Sequence, residues 1–160
     1  MNAASPGSSP GSSITDERSL VELLGRTQTI AVVGISANPM RASHEVAAYL
    51  LHHAHYELLF VNPFETEILG RPVVPSLADL PVVPDMVDVF RKTEDLATVT
   101  DEAIAVGASS LWFQLGLVDD TAAARAVAAG LDVVQDRCIK VDHARHRDEL
   151  PRRDAPEGDG

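Results

Sequence analysis

Five cationic residues, Arg41, Arg91, Lys92, Arg137 and Lys140, each lie just beyond a short apolar run. The first of them lies within the segment Gly34-Ile35-Ser36-Ala37-Asn38-Pro39-Met40-Arg41-Ala42-Ser43. Guanidinium groups, hydroxyls and a glycine are the groups that hold phosphate: Arg meets it bidentately, and a residue without a Cβ lets backbone amides come close. Only nine Lys or Arg fall between positions 14 and 143, so five of nine at these places is a concentration. It stands out further because the whole chain holds 13 Lys plus Arg against 24 Asp plus Glu, a net charge of −11. The chemistry this pattern fits is capture of a small anionic ligand. The same overall charge repels phosphate polymers and anionic lipid, so nucleic acid and membrane surfaces are not expected partners.

Other residues join this set by position. Asn62-Pro63, Phe90 and Gln114-Leu115-Gly116 also end or follow apolar runs. Gln114 offers an amide, and Gly116 offers either a bare backbone or simply a positive φ in a turn. Trp112 reads as core. Cys138 has Asp136, Arg137 and His143 near it in sequence, and an adjacent Arg favours a thiolate. No base with an orienting partner is evident to complete a nucleophilic set, so a small buried residue accounts for Cys138 better. His52, His53 and His55 crowd a helix end, where imidazolium suits the dipole, and no thiol or carboxylate stands at ligand spacing to make them a metal site. No metal is expected.

The elements that must position these residues follow from periodicity. Brief apolar runs at Thr29 to Val33, Glu57 to Val61, Met86 to Phe90, Ser110 to Phe113 and Asp132 to Val134 predict strands apolar on both faces, with a weaker strand at Pro72 to Val74 on an edge. Helix-period stripes separate them. Leu20, Val21 and Leu24 follow a Thr15 cap and stop at Gly25; Val46, Ala47, Leu50, Leu51 and Ala54 follow a Ser43 cap. Leu96, Val99, Ala103 and Val106 precede Gly107, and Val118, Ala122, Ala126 and Ala129 precede Gly130. Alternating strands and helices with right-handed crossovers predict an α/β fold: one Rossmann-like, open, mostly parallel sheet of five to six strands with helices on both faces. Ligands of such sheets bind outside the strand carboxyl ends, where the cations fall.

A chain of 160 residues with 45% hydrophobic content is expected to make one domain with its own core. The Ser-, Pro- and Gly-rich residues 1–13 read as a disordered tail, residues 14–143 as the folded unit, and the charged stretch 144–160 as a second flexible tail. A single cysteine permits neither an internal disulfide nor a four-ligand zinc site, and no run is long enough to span a membrane, so a cytoplasmic setting is expected.

The segments TIAVVGISANPMRASHEVAAYL, FVNPFETEILG, PSLADLP, VDVFRK, LWFQLG and DRCIKVDHAR run in order from Thr29 to Arg145. Together they resemble the small single-domain CoA-binding protein family, related to the N-terminal domain of the succinyl-CoA synthetase alpha subunit. The resemblance implies coenzyme A as ligand. It implies that the turn from Gly34 to Ser43, with Ser36, Ala37, Arg41 and Ser43, cradles the diphosphate and 3′-phosphoadenosine. It places Asn62 and Pro63 at the adenine side, Phe90 and Arg91 beside the pantetheine or phosphates, and Gln114 and Gly116 on the opposite wall; the strand-end cation Arg137 is expected to join them as a ligand contact. Arg91→Ala and Gly34→Val are each expected to weaken CoA binding more than about tenfold without loss of the fold. Succinyl-CoA synthetase carries its phosphorylated histidine in a following domain that has no counterpart here, so His143 is not expected to be that residue. The implied role is a stand-alone binding module, regulatory or carrier, with no assured reaction, and a homodimer through an exposed edge or helix face would be unsurprising. Two alternatives stay open: a thiol-dependent acyl-CoA enzyme using Cys138, and an NAD(P)-binding redox protein on the same fold. Against the latter, Ser36 and Pro39 replace two glycines of the dinucleotide turn, and Asn62 stands where an acid would hold ribose hydroxyls.

Overall fold

The computed structural model describes residues 9–152; of the expected tails at 1–13 and 144–160, residues 1–8 and 153–160 lie outside the described residues. In chain order the elements are α1 (Glu17–Arg26), β1 (Thr29–Val33), α2 (Ala42–His53), β2 (Glu57–Val61), β3 (Glu67–Ile68), β4 (Arg71–Val74), β5 (Met86–Val89), α3 (Leu96–Val106), β6 (Ser110–Phe113), α4 (Asp120–Ala128), β7 (Asp132–Val134) and α5 (Ile139–Arg145). The strands form one seven-stranded sheet in the order β3-β4-β2-β1-β5-β6-β7, parallel except for β3. The Rossmann-like α/β fold is as expected. The strand count exceeds five to six because the two-residue β3 pairs antiparallel with β4 through a turn in which Leu69 and Gly70 both take positive φ. That hairpin moves β4, and Pro72 with it, one place in from the edge.

Strand alternation sorts the core into two layers. Ile30, Val32, Leu58, Phe60, Met86 and Trp112 face one way and pack with Leu20 and Leu24 of α1, Val46 and Leu50 of α2, and Ile139 of α5. Ala31, Val33, Val87, Val89, Leu111 and Phe113 face the other way, onto Leu96, Val99 and Ala103 of α3 and Ala122 and Ala126 of α4. Helix ends depart from expectation by a residue or two. Asp16, not Thr15, caps α1 by accepting from the Ser19 amide, and the helix runs through Gly25 to Arg26. Asp119 caps α4, accepting from the Ala122 amide, so Val118 lies ahead of it. The αL stop of α3 at Gly107, φ 85°, is as read from the sequence.

Both ends of the described chain are tied down. The β7 edge would leave a row of unpaired backbone groups, and residues 11–14 fill it. Val133 donates to Ser12 O, Ile14 donates to Val133 O, and Gly11 donates to Val127 O, each at 2.8 Å. A Cβ on Gly11 would meet Leu131 O at 1.8 Å, so only glycine fits against the sheet there. At the other end α5 extends to Arg145, and Leu150, 6% exposed, enters the core beside α1 and α2. The Ser/Gly composition of residues 9–13 and the charges of 144–152 conceal this, since the first segment docks through backbone pairing and the second through one leucine and the bonds of Arg145 and His146 to Glu17.

Candidate functional site

Strand order reverses between β1 and β5: the chain proceeds from β1 to β2 and β4 on one side and from β5 to β6 and β7 on the other. Loops leaving the two strands diverge there and open a crevice. Each strand end adds one ladder bond beyond its last residue: Gly34 donates to Val61 O, Phe90 to Val33 O and Gln114 to Val89 O. The carboxyl ends of β1, β2, β5 and β6 are thereby fixed side by side beneath a cleft of about 890 Å³.

The β1–α2 loop forms one wall, and its shape is set by hydrogen bonds within its own few residues. Ser36 N–H donates to Ser43 Oγ at 2.9 Å, Asn38 N–H to Ser36 Oγ at 3.0 Å, and Met40 N–H to Asn38 Oδ1 at 2.9 Å. Ser43 therefore closes the loop rather than capping α2, whose N-cap Arg41 makes no side-chain cap bond. Gly34, at φ +88°, sits so close to β5 that a Cβ would meet Phe90 O at 2.1 Å and Arg91 Cδ at 2.9 Å. Glycine is demanded here by backbone conformation and by space together. The expectation that Gly34→Val spares the fold does not survive this contact. From the β2 end, Asn62 Nδ2 donates to Ile35 O at 2.8 Å and its Oδ1 accepts from Phe64 N–H at 2.7 Å, which joins the two loops.

Nine of the twelve residues singled out from the sequence line this cleft: Gly34, Ser36, Arg41, Ser43, Asn62, Pro63, Phe90, Arg91 and Gln114. Three do not. Ala37 is exposed in the β1–α2 loop. Gly116, at φ 88°, donates its N–H to Asp136 Oδ1 at 2.7 Å and shapes a turn. Arg137 is held away from the cleft: its Nε donates to Asp142 Oδ2 at 2.7 Å and its Nη2 to Asp142 Oδ1 and Glu17 Oε2, each at 2.9 Å. Those bonds to Asp142, ahead of every other influence, hold its guanidinium above an ordinary arginine in basicity. Lys140 is likewise committed, to Glu45 Oε2 at 3.0 Å.

The sequence reading missed an apolar part of the wall and two acids. Val46, Leu115, Leu117 and Phe64 line the cleft, the last 89% exposed on its rim. Glu94 and Asp95 stand beside the cations Arg41, Arg91 and Lys92, and Arg91 Nη2 donates to Asp95 Oδ2 at 3.1 Å. The Glu94-Asp95 pair was visible in the sequence just past β5, and the following α3 stripe hid its place at the strand end. Cys138 also faces the cleft, from the N-cap of α5. Below the floor, Asp88 of β5 is fully buried and accepts from Gln114 Nε2. Burial pushes its carboxyl from 3.8 up to about 7, with the Gln114 bond acting the other way. Among the described residues, no group of three His, Cys, Asp or Glu is placed to hold a metal ion, and no helix is long and apolar enough to cross a membrane. With three cations beside two acids, a glycine turn that brings the β1–α2 loop close to β5 and an apolar flank, the arrangement suits an elongated ligand with phosphate at one end and a weakly polar arm at the other.

Comparison with known proteins agrees with this geometry. Residues 28–144 match the family described as a CoA binding domain. The chain is 42% identical over 123 residues to the uncharacterized protein YneT of Bacillus subtilis, covering 77% of this chain and 90% of that one. A hypothetical protein from Pyrococcus horikoshii superposes with a TM-score of 0.77 at 36% identity, covering 82% of this chain and 92% of its own. A protein from Thermus thermophilus does so with a TM-score of 0.77 at 35% identity, covering 82% and 98%.

Proposed function

Because this chain belongs to the CoA binding domain family, we propose that it binds coenzyme A or an acyl-CoA in the cleft at the β1/β5 switch point. The observation that carries the reading is the closure of Gly34 on Phe90 O. It brings the β1–α2 loop, with Ser36 and Arg41, and the guanidinium of Arg91 onto a single cleft, in a chain that is otherwise strongly acidic. In this reading Ser36, Arg41 and Arg91 hold the phosphates, with Lys92 adding charge. Asn62 and Pro63 flank the adenine, and Phe90, Gln114, Leu115 and Leu117 line the pantetheine arm. Arg137 serves the α1–α5 contact instead. The module is regulatory or acts as a CoA carrier in the cytoplasm.

Calorimetric titration of the purified protein with CoA, acetyl-CoA, NAD and NADP tests the reading. Micromolar binding of CoA, about −8 kcal/mol, with no heat from the nicotinamide nucleotides is expected. Binding of NAD or NADP in place of CoA overturns it.

A second reading rests on Cys138, whose position on the cleft wall gives a thiol access to a bound acyl thioester. It requires turnover of an acyl-CoA that Cys138→Ser abolishes while CoA affinity stays unchanged. Equal turnover in the two proteins removes it.

A further inference from the structure

Gln114 meets the cleft, and a group beneath the sheet surface determines which end of its amide does so. Asp88 lies in β5 with Val32 and Trp112 as its register neighbours, and it is wholly shut off from solvent. Its Oδ1 accepts from Gln114 Nε2, while its Oδ2 is buried without a partner. A carboxylate can only accept, so it captures the NH2 end of the amide and turns the oxygen away. Gln114 Oε1 accepts no hydrogen bond among the described residues and is not among the atoms sealed from solvent. Gln114 itself is 5% exposed and lines the cleft, so what it shows there is an acceptor.

We propose that Asp88 is a positioning residue that sets Gln114 with its oxygen toward the cleft, so that the site selects ligands carrying an N–H or O–H donor at that depth. Resting on the CoA reading above, the donor is an amide N–H of the pantetheine arm. An apolar or ester-linked arm would leave Oε1 facing an unmatched surface, which is where a buried site discriminates most strongly.

Asp88 also makes the setting reversible. Once protonated, its carboxyl gains an O–H that can donate to Gln114 Oε1, and the amide then turns its NH2 toward the cleft. Of the titratable groups on the elements covering this face, Arg137 and Arg145 pair with Asp142, Lys140 with Glu45, His146 with Glu17 and His143 Nδ1 with Tyr49 Oη, while His44 Nδ1 meets Ser36 O and His53 packs against Tyr49 and His52. Arg41, Arg91, Lys92, Glu94, Asp95 and Cys138 stand around the cleft above. Burial and the Gln114 bond are what act on Asp88.

The test uses the full chain labelled with 15N-glutamine. It contains three glutamines, Gln28, Gln114 and Gln135, and a Gln114→Glu sample identifies the Gln114 Nε2 signals. Those signals should move between about pH 6 and about pH 8 with a midpoint near that of Asp88, and the movement should vanish in Asp88→Asn. In parallel, CoA is compared calorimetrically with analogues in which each pantetheine amide N–H is replaced in turn by an ester oxygen. One analogue should bind about tenfold more weakly than CoA at about pH 8, and the gap should shrink at about pH 6. Because all these ligands carry the same phosphates, ligand titration cancels in the ratio. Gln114 signals that ignore pH in the wild-type protein, or analogues that bind as CoA does, overturn the proposal. Absence of heat from CoA itself overturns the ligand assignment alone, and the amide spectrum still decides the orientation of Gln114.

Discussion

Arg91 and Asp95, four residues apart in the loop and short turn after β5, are an ion pair at the mouth of the cleft, Nη2 to Oδ2 3.1 Å, with each side chain about one-third exposed (37% and 35%). The best-placed cation for a phosphate is therefore already partnered, and a ligand must exchange one anion for another. At this exposure the pair itself contributes little to stability. Its weight falls on binding. Arg91→Ala should weaken CoA affinity by more than about tenfold, about 1.4 kcal/mol, while Asp95→Asn should tighten it by about threefold by removing the competitor. Titration calorimetry of both variants at low and high salt checks this, and the Arg91 effect should shrink with added salt.

Gly34 should fail differently. A side chain at φ +88° whose Cβ lies 2.1 Å from Phe90 O has no room to move into, because the obstacle is backbone of the neighbouring strand. Gly34→Ala is expected to cost about 2 to 4 kcal/mol, combining left-handed strain with displacement of β5. Urea denaturation reads this directly, and an unchanged midpoint would show that the two strand ends can part freely.

One buried carboxylate organises the arginines around α5. Asp142, 2% exposed, accepts from Arg137 twice and from Arg145 at 3.3 Å. Asp142→Asn should cost roughly 2 kcal/mol, less than the loss of a wholly buried pair because Arg137 keeps Glu17 and some solvent. CoA affinity should change little, since none of these groups lines the cleft. A large loss of affinity with normal stability would return Arg137 to the binding site.

Two buried groups oppose each other in their response to pH. Asp88, raised from 3.8 to about 7 by burial, keeps a proton that the unfolded chain releases, so its share of stability falls as pH rises through that window. His143 is fully buried with an unpartnered Nε2, and desolvation lowers it from 6.5 to about 4. It refuses a proton that the unfolded chain takes, so its share falls as pH drops from 6.5 toward 4. The slopes have opposite sign over nearly the same range. Asp88→Asn should make stability fall more steeply on acidification than in the wild type. His143→Gln, which can still meet Tyr49, should let stability rise instead. Each difference is bounded by about 1.4 kcal/mol per pH unit, and denaturation curves across that range in the three proteins measure it.

Much of this was legible in the sequence, for reasons tied to particular residues. β-branched runs such as TIAVV and a glycine directly after one of them, Gly34, report strand and turn without reference to the rest of the chain. The cleft residues Arg41, Asn62, Arg91 and Gln114 followed from asking what comes after each strand. What stayed hidden depends on distant partners. Arg137 looks like another strand-end cation until Asp142 and Glu17 are seen to hold it. Helix α5 is too short for a stripe to announce it. Asp88 reads as one polar residue in an apolar strand, and only the register that sets β6 beside it shows Gln114 as its partner.

The strap of residues 11–14 along β7 bears on how this protein meets other proteins. A chain shortened to begin at Ile14 would keep every helix and named strand, yet its sheet would end in exposed amides and carbonyls of the kind that recruit a foreign strand. The Gly-Ser stretch thus occupies the place beside β7 that such a strand would take.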